Sequence, residues 1–311
     1  MGKTANWQIL VIIVLIALTL LPFIQNKEVL SLDEDTRQLL GGTFVELSDG
    51  YTHYELLGPQ DAPTIVLIHG FSAPMYIWDG MADDFVVQGF RVLRFDLYGR
   101  GYSDRPETDY TLELYMRQLD ELLTSLDLNT GVHLVGLSYS GPITAGFTSR
   151  FPEKVLSLTL IDPMAAAVSG KEIEPMNWSL VGEYIMVVYL APVYLPESQA
   201  QDLKYPHVYP NWEELYRKQQ QYAGWRRAIL SSTREMVKFE PLEEYHQVGE
   251  SDVPIMLMWG SDDHLIPEER ILNVKSALGD VPFKTIEDAG HLPFLDQPEE
   301  VSALILEFLS E

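Results

Sequence analysis

Five short, largely apolar runs recur along the chain: Thr64-Ile65-Val66-Leu67-Ile68, Arg91-Val92-Leu93-Arg94-Phe95, Val132-His133-Leu134-Val135, Leu156-Ser157-Leu158-Thr159-Leu160-Ile161 and Ile255-Met256-Leu257-Met258-Trp259. Runs of this length with little polar alternation fit strands buried on both faces. Between them lie helix-length segments with apolar residues at three- and four-residue spacing. One of these carries Leu112, Leu114, Tyr115, Leu119, Leu122, Leu123 and Leu126, with Thr111 placed to cap it. Strand alternating with helix predicts an α/β fold, a mostly parallel central sheet flanked by helices. Thr43 to Leu57 reads as two more strands broken at the turn Ser48-Asp49-Gly50, and Phe283-Lys284-Thr285-Ile286 as a last strand.

The rhythm stops after the sixth strand. Residues 164–253 show no strand-helix alternation and are rich in Trp, Tyr, Met and Pro. A structureless loop of that length inside a compact domain is implausible. The stretch is expected to be a helical cap or lid over the carboxyl ends of the strands, where open α/β sheets bind ligands. Its aromatics, including Trp178, Tyr189, Tyr194, Tyr216 and Trp225, are expected mostly to form the lid's own core. Residues 43–163 and 254–311 then make up the sheet-bearing core.

The N-terminus is different in kind. From Trp7 to Phe23 no residue is charged, and a helix of that length approaches the roughly 30 Å of a bilayer's hydrocarbon. A cleaved secretory signal would end in a small-x-small triplet, but Leu20-Leu21-Pro22-Phe23-Ile24-Gln25-Asn26 contains none. Residues 1–26 are therefore read as an uncleaved transmembrane signal-anchor, with secretion after cleavage as the alternative, and residues 27–42 as a tether. Lys3 before the segment and Asp33, Glu34 and Asp35 after it orient the globular part extracytoplasmically. Acidic residues outnumber basic ones 46 to 21, a formal charge of −25, which repels phosphate backbones and excludes nucleic acid as a partner. The chain has no cysteine, so neither disulfides nor thiolate metal sites are available to it. The sequence leaves the oligomeric state open.

Directly after the third of the apolar runs comes Gly136-Leu137-Ser138-Tyr139-Ser140, which puts a serine on a strand-to-helix turn. A serine hydroxyl is a poor nucleophile by itself. It needs a base, a group to orient that base, and donors for the oxyanion.

Further motifs follow in order: His69-Gly70-Phe71 after one strand, Asp96-Leu97-Tyr98-Gly99-Arg100-Gly101-Tyr102-Ser103-Asp104 after the next, Gly260-Ser261-Asp262-Asp263 after a later one, and Ala289-Gly290-His291 near the C-terminus. From Thr43 to Glu311 the chain resembles the α/β-hydrolase superfamily, whose triad runs in the order serine, acid, histidine. The resemblance implies Ser138 as nucleophile and His291 as base, because only His264 and His291 follow the candidate acid and His264 is adjacent to it. It implies Asp263 as the orienting acid, with Asp262 beside it and Asp162 after the preceding strand as alternatives. The backbone N–H groups of Phe71 and Tyr139 are implied as the oxyanion hole. His69 is expected to be a structural hydrogen-bonding residue, and Asp96 and Asp104 to hold their loop and its Arg100. One departure stands out: Ser140 occupies a position where the family usually has glycine.

A serine nucleophile removes the epoxide- and haloalkane-cleaving branches, which use a carboxylate there. The resemblance then implies hydrolysis of carboxylic esters through an acyl-enzyme, and the anchor points to membrane-associated monoacylglycerol lipase and esterase relatives with lipid-like esters as substrates. Carbon–carbon, amide and thioester hydrolysis are alternatives, and a ligand-binding receptor of this fold is the non-enzymatic one. No metal or organic cofactor is implied.

Overall fold

The computed structural model describes residues 2–129 and 131–310, with side chains from Trp7 onward. Met1, Thr130, Glu311 and the side chain of Lys3, on which the orientation above rests, lie outside the described residues. Eight strands form one sheet: β1 (Thr43–Leu47), β2 (Gly50–Leu57), β3 (Thr64–Ile68), β4 (Arg91–Phe95), β5 (Val132–Leu137), β6 (Val155–Ile161), β7 (Ile255–Gly260) and β8 (Phe283–Ile286). Their order is β1-β2-β4-β3-β5-β6-β7-β8. β2 is antiparallel to β1 and β4, and the remaining pairs are parallel.

Why the runs are apolar throughout is visible at β3, where Val66 and Ile68 join one core while Ile65 and Leu67 join the other. Helices Leu112–Ser125, Ser140–Arg150 and Glu268–Leu278 cover the first face, and helices Asp79–Val87 and Pro298–Leu309 the second. Thr111 caps the first of these, its Oγ1 accepting from Leu114 N at 3.2 Å. From β3 the chain crosses to β4 on one side and later to β5 on the other. The loops leaving β3 and β5 diverge at that switch, opening a crevice at the carboxyl edge of the sheet.

Between β6 and β7 the chain is helical: Val181–Ile185, Met186–Tyr194 in π-helical turns, Leu195–Gln201, Trp212–Gln219 and Trp225–Glu235. These helices bury a core of their own around Met186, Leu195, Tyr216, Trp225 and Ile229. Not every aromatic contributes, for Trp178, Tyr189 and Tyr194 are about half exposed. Helix Pro241–Gly249, at the end of the same stretch, packs instead on Ser140–Arg150, and its Tyr245 and Val248 belong to the main core.

The N-terminal helix Gly2–Gln25 includes Trp7–Gln25, with a mean hydropathy of 2.7 and none of it buried, long and apolar enough by length and composition to cross a membrane. It touches the inserted helices through Tyr184 Oη, which donates to Leu18 O at 2.9 Å. The segment that follows is also tied down. Glu28 accepts from Arg226 N at 2.7 Å, Leu30 bridges to Tyr222, and residues Glu34–Leu40 form a short helix capped by Asp33.

Candidate active site

Ser138 sits at the end of β5 with φ of 51°, a left-handed conformation that costs a non-glycine residue of order 1–3 kcal/mol and persists only when its surroundings impose it. Three backbone bonds do so. Ser138 N donates to Ile161 O at 3.0 Å, and Ser138 O accepts from Gly141 N and Met164 N at 2.9 Å. The departure at Ser140 has a local explanation. Its buried hydroxyl accepts from Leu137 N and donates to Ile68 O, both at 2.8 Å, tying β5 to β3 behind the turn. The close approach of the helix passes to the next residue, since a Cβ on Gly141 would meet Pro163 and Tyr245 at 2.6 Å.

The candidate base, His291, and the candidate acid, Asp263, come from the loops after β8 and β7. His291 Nδ1 lies 2.7 Å from Asp263 Oδ2, and Asp263 Oδ1 accepts from Leu265 N at 2.7 Å and Ile266 N at 3.0 Å. The acid is thus held at both oxygens, and the ring's Nε2 is left for the cavity. Asp263 and its neighbour point in opposite directions: Asp262 is exposed and pairs with Lys204 of the inserted segment. His264 is also exposed. Asp162 is fully buried beside Asp263, its Oδ1 accepting from Gly260 N at 3.0 Å.

Burial works against a charged imidazole at His291, but the Asp263 carboxylate and its hydrogen bond outweigh it, with help from Asp202, and hold the histidine above its ordinary value. Burial likewise opposes ionisation of Asp263, and the charge and hydrogen bond of His291 overcome it, leaving the acid below its ordinary value. Asp202, contributed by the insertion, is pushed up to about 7 by burial and by Asp263, against the pull of His291. Nothing in the spacing of the sequence linked this residue to the site.

The loop after β3 closes the other side. Gly70 packs on Ser138 so tightly that a Cβ there would lie 3.3 Å from Ser138 Cβ. Phe71 and Tyr139 line the same cavity as Ser138 and His291, and among the described residues no backbone carbonyl accepts the N–H of either one. Two free N–H groups beside a serine are what an oxyanion needs. His69 is a structural tie: Nδ1 donates to Gly70 O and Nε2 accepts from Leu97 N, both at 2.9 Å, and burial pushes the ring down to about 4 despite Asp96, so it stays neutral.

The loop after β4 differs from expectation in one respect. Asp96 does hold it, accepting from Tyr102 N at 2.9 Å, and Asp104 accepts from Tyr51 N at 2.8 Å. Arg100, however, pairs with neither. It is fully buried, with Nε donating to Phe71 O at 2.7 Å and Nη1 to Tyr115 Oη at 2.5 Å. The reason is steric: its side chain runs inward among the rings of Phe71, Tyr115 and Tyr139.

Two cavities meet at Ser138 and His291. One, about 360 Å³, is walled by apolar groups including Met164, Ile173, Met176, Leu190, Leu195 and Ile229. The other, about 420 Å³, adds Ser72, Ser198, Gln199 and Asp202 to its wall.

A model of the alpha/beta hydrolase fold family matches residues 63–298. Epoxide hydrolase 3 of Xenopus tropicalis is 26% identical to this chain over 280 residues, 83% of this chain and 74% of that protein. The monoacylglycerol lipase ABHD6 of Bos taurus is 21% identical over 276 residues, 81% and 77% of the two chains. Among solved structures, a thermophilic esterase from Thermogutta terrifontis superposes with a TM-score of 0.73 at 23% identity, covering 86% of this chain and 98% of that one.

Proposed function

The chain belongs to the alpha/beta hydrolase fold family, and on that premise we propose that this hydrolase cleaves carboxylic esters of lipid-like acids through Ser138, His291 and Asp263. The observation that carries the reading is the His291–Asp263 pair at 2.7 Å, opening on a cavity that it shares with a strained serine and two free N–H groups. The nucleophile's identity separates this chain from relatives such as the epoxide hydrolase, since the branch that opens epoxides uses a carboxylate there.

His291, its Nδ1–H directed at Asp263, takes the Ser138 proton through Nε2 as Oγ attacks the ester carbonyl. The N–H groups of Phe71 and Tyr139 hold the oxyanion, and His291 returns the proton to the departing alcohol. Water activated by the same histidine then releases the acid. The apolar cavity suits the acyl chain. The side bearing Ser72, Ser198, Gln199 and Asp202 suits an alcohol with hydroxyl groups of its own, as in a monoacylglycerol.

We read the inserted helices as a lid, and the N-terminal helix as a bilayer anchor. Tyr184 bonds Leu18, seven residues before Gln25, which takes the lid about 10 Å along the anchor at about 1.5 Å per residue. Interfacial helices bury their apolar faces to about that depth. Residues 185–196 carry no charge, and Tyr189, Val193 and Tyr194 among them are exposed. Turnover of short p-nitrophenyl esters, long-chain monoacylglycerols, simple long-chain alkyl esters and amides tests the reading. Monoacylglycerols should give the highest kcat/KM, and a preference for amides would contradict it.

A further inference from the structure

Asp162, the first residue after β6, has no part in the chemistry above, yet it is fully buried at the heart of the site with φ of 41°. Its Oδ1 accepts one backbone bond, from Gly260, while among the described residues its buried Oδ2 has no hydrogen-bond partner. An oxygen of Asp162, an oxygen of Asp263 and a ring nitrogen of His291 all lie within 4.8 Å of one another. Two carboxylates that close in a buried site do not both ionise. Asp263 has the stronger claim to the charge, since it accepts from His291, Leu265 and Ile266, whereas among the described residues Asp162 accepts only from Gly260. The proton therefore belongs on Asp162, with an oxygen of Asp263 within 4.8 Å to accept it.

We propose that Asp162 is a positioning residue, a neutral carboxylic acid whose Oδ2–H donates to Asp263 and limits the charge that Asp263 presents to His291. The proposal rests on the serine-hydrolase reading. Arg270 lines the cavity on which His291 opens, and two further charged groups act on the pair: Asp202, just after helix Leu195–Gln201, and Asp296 from helix Pro293–Asp296. Both are acidic and reinforce the preference for a neutral Asp162. Burial, followed by the Asp263 charge, pushes the Asp162 carboxyl well above the usual carboxylate range.

Asparagine at 162 preserves the arrangement, its amide oxygen accepting from Gly260 and its NH₂ donating to Asp263. Glycine removes both bonds, and each residue tolerates a left-handed φ. Asp162→Asn should therefore keep kcat/KM within a few-fold and leave its acid limb in place. Asp162→Gly should lose roughly 10- to 100-fold, as for a hydrogen bond to a charged group. It should also move the acid limb to higher pH, because an unshared Asp263 charge raises His291.

A large loss in Asp162→Asn, or an acid limb displaced to lower pH, would mean that Asp162 is charged and would overturn the proposal. So would an acid limb left unmoved in Asp162→Gly. Infrared difference spectroscopy of the full-length protein at neutral pH reads the proton without relying on turnover, and remains decisive if Asp162→Gly does not fold. A protonated-carboxyl band present in the wild type and missing in Asp162→Asn supports the assignment, and its absence from the wild type overturns it. Failure of the serine-hydrolase reading looks different: a wild-type protein that a fluorophosphonate does not label at Ser138.

Discussion

Arg100 Nε donates to the carbonyl oxygen of Phe71 at 2.7 Å, so a guanidinium from the loop after β4 fixes the residue proposed to supply one of the two oxyanion N–H groups. The bond joins the loops that follow two adjacent parallel strands, β3 and β4, and three aromatic rings surround the guanidinium. Lysine has a single flexible donor group and cannot reproduce the fork. Both Arg100→Lys and Arg100→Gln should lower kcat with KM little changed, approaching the 10²- to 10³-fold loss, about 2.7–4 kcal/mol, seen when an oxyanion donor is removed. Single-turnover kinetics on a short p-nitrophenyl ester measures this. A rise in KM at constant kcat would show that Arg100 serves substrate binding instead.

Only the neutral His291 can accept the serine proton, and Asp263 holds that histidine above its ordinary value. The kcat/KM profile should therefore fall on the acid side, with an apparent pKa above the ordinary histidine value of about 6.5. Asp202 adds to the stabilisation of the charged imidazole. Asp202→Asn removes that contribution, lowers the pKa of His291 and should shift the acid limb to lower pH. A shift to higher pH would contradict this arrangement of charges.

Asp263→Asn should reduce kcat by about 10⁴, because an amide next to Nδ1 favours the wrong tautomer. Asp262→Asn should leave kcat nearly unchanged, since that carboxylate faces Lys204 and not the ring. The pair is compared by steady-state kinetics at one pH, with circular dichroism to check folding. Equal losses in the two variants would contradict the geometry.

Deleting residues 1–26 removes the apolar helix but retains Glu28, which accepts from Arg226 N at 2.7 Å and holds the start of helix Trp225–Glu235. The truncated protein should keep its kcat on a water-soluble short ester and lose sedimentation with membranes. Intact mass of the membrane-bound full-length chain should include the apolar helix. A mature N-terminus at about Gln25 or later would show instead that the segment is a cleaved signal.

Much of this architecture is legible in the sequence because strands covered on both faces must be apolar throughout. The runs Thr64–Ile68, Arg91–Phe95 and Phe283–Ile286 are strands to the residue. The turn at Ser138 is legible for a related reason, since a small-residue pattern between an apolar strand and a helix permits few backbone paths. What spacing does not show is where long side chains end. Arg100 reaches a carbonyl 29 residues away, Tyr184 reaches Leu18 across 166 residues, and Asp202 arrives over His291 on an insertion. The choice among Asp162, Asp262 and Asp263 has the same character. Adjacent residues 262 and 263 differ only in the direction the backbone gives their side chains, one outward to Lys204 and one inward to His291.

The central claim is that Ser138 is the nucleophile, and the most direct measurement is the intact mass of the full-length protein after reaction with a fluorophosphonate, with the adduct located by peptide sequencing. One adduct per chain, on Ser138, with no adduct and no ester turnover in a folded Ser138→Ala variant, is the predicted result. An adduct on another residue such as Ser140, or turnover that persists in Ser138→Ala, would contradict it.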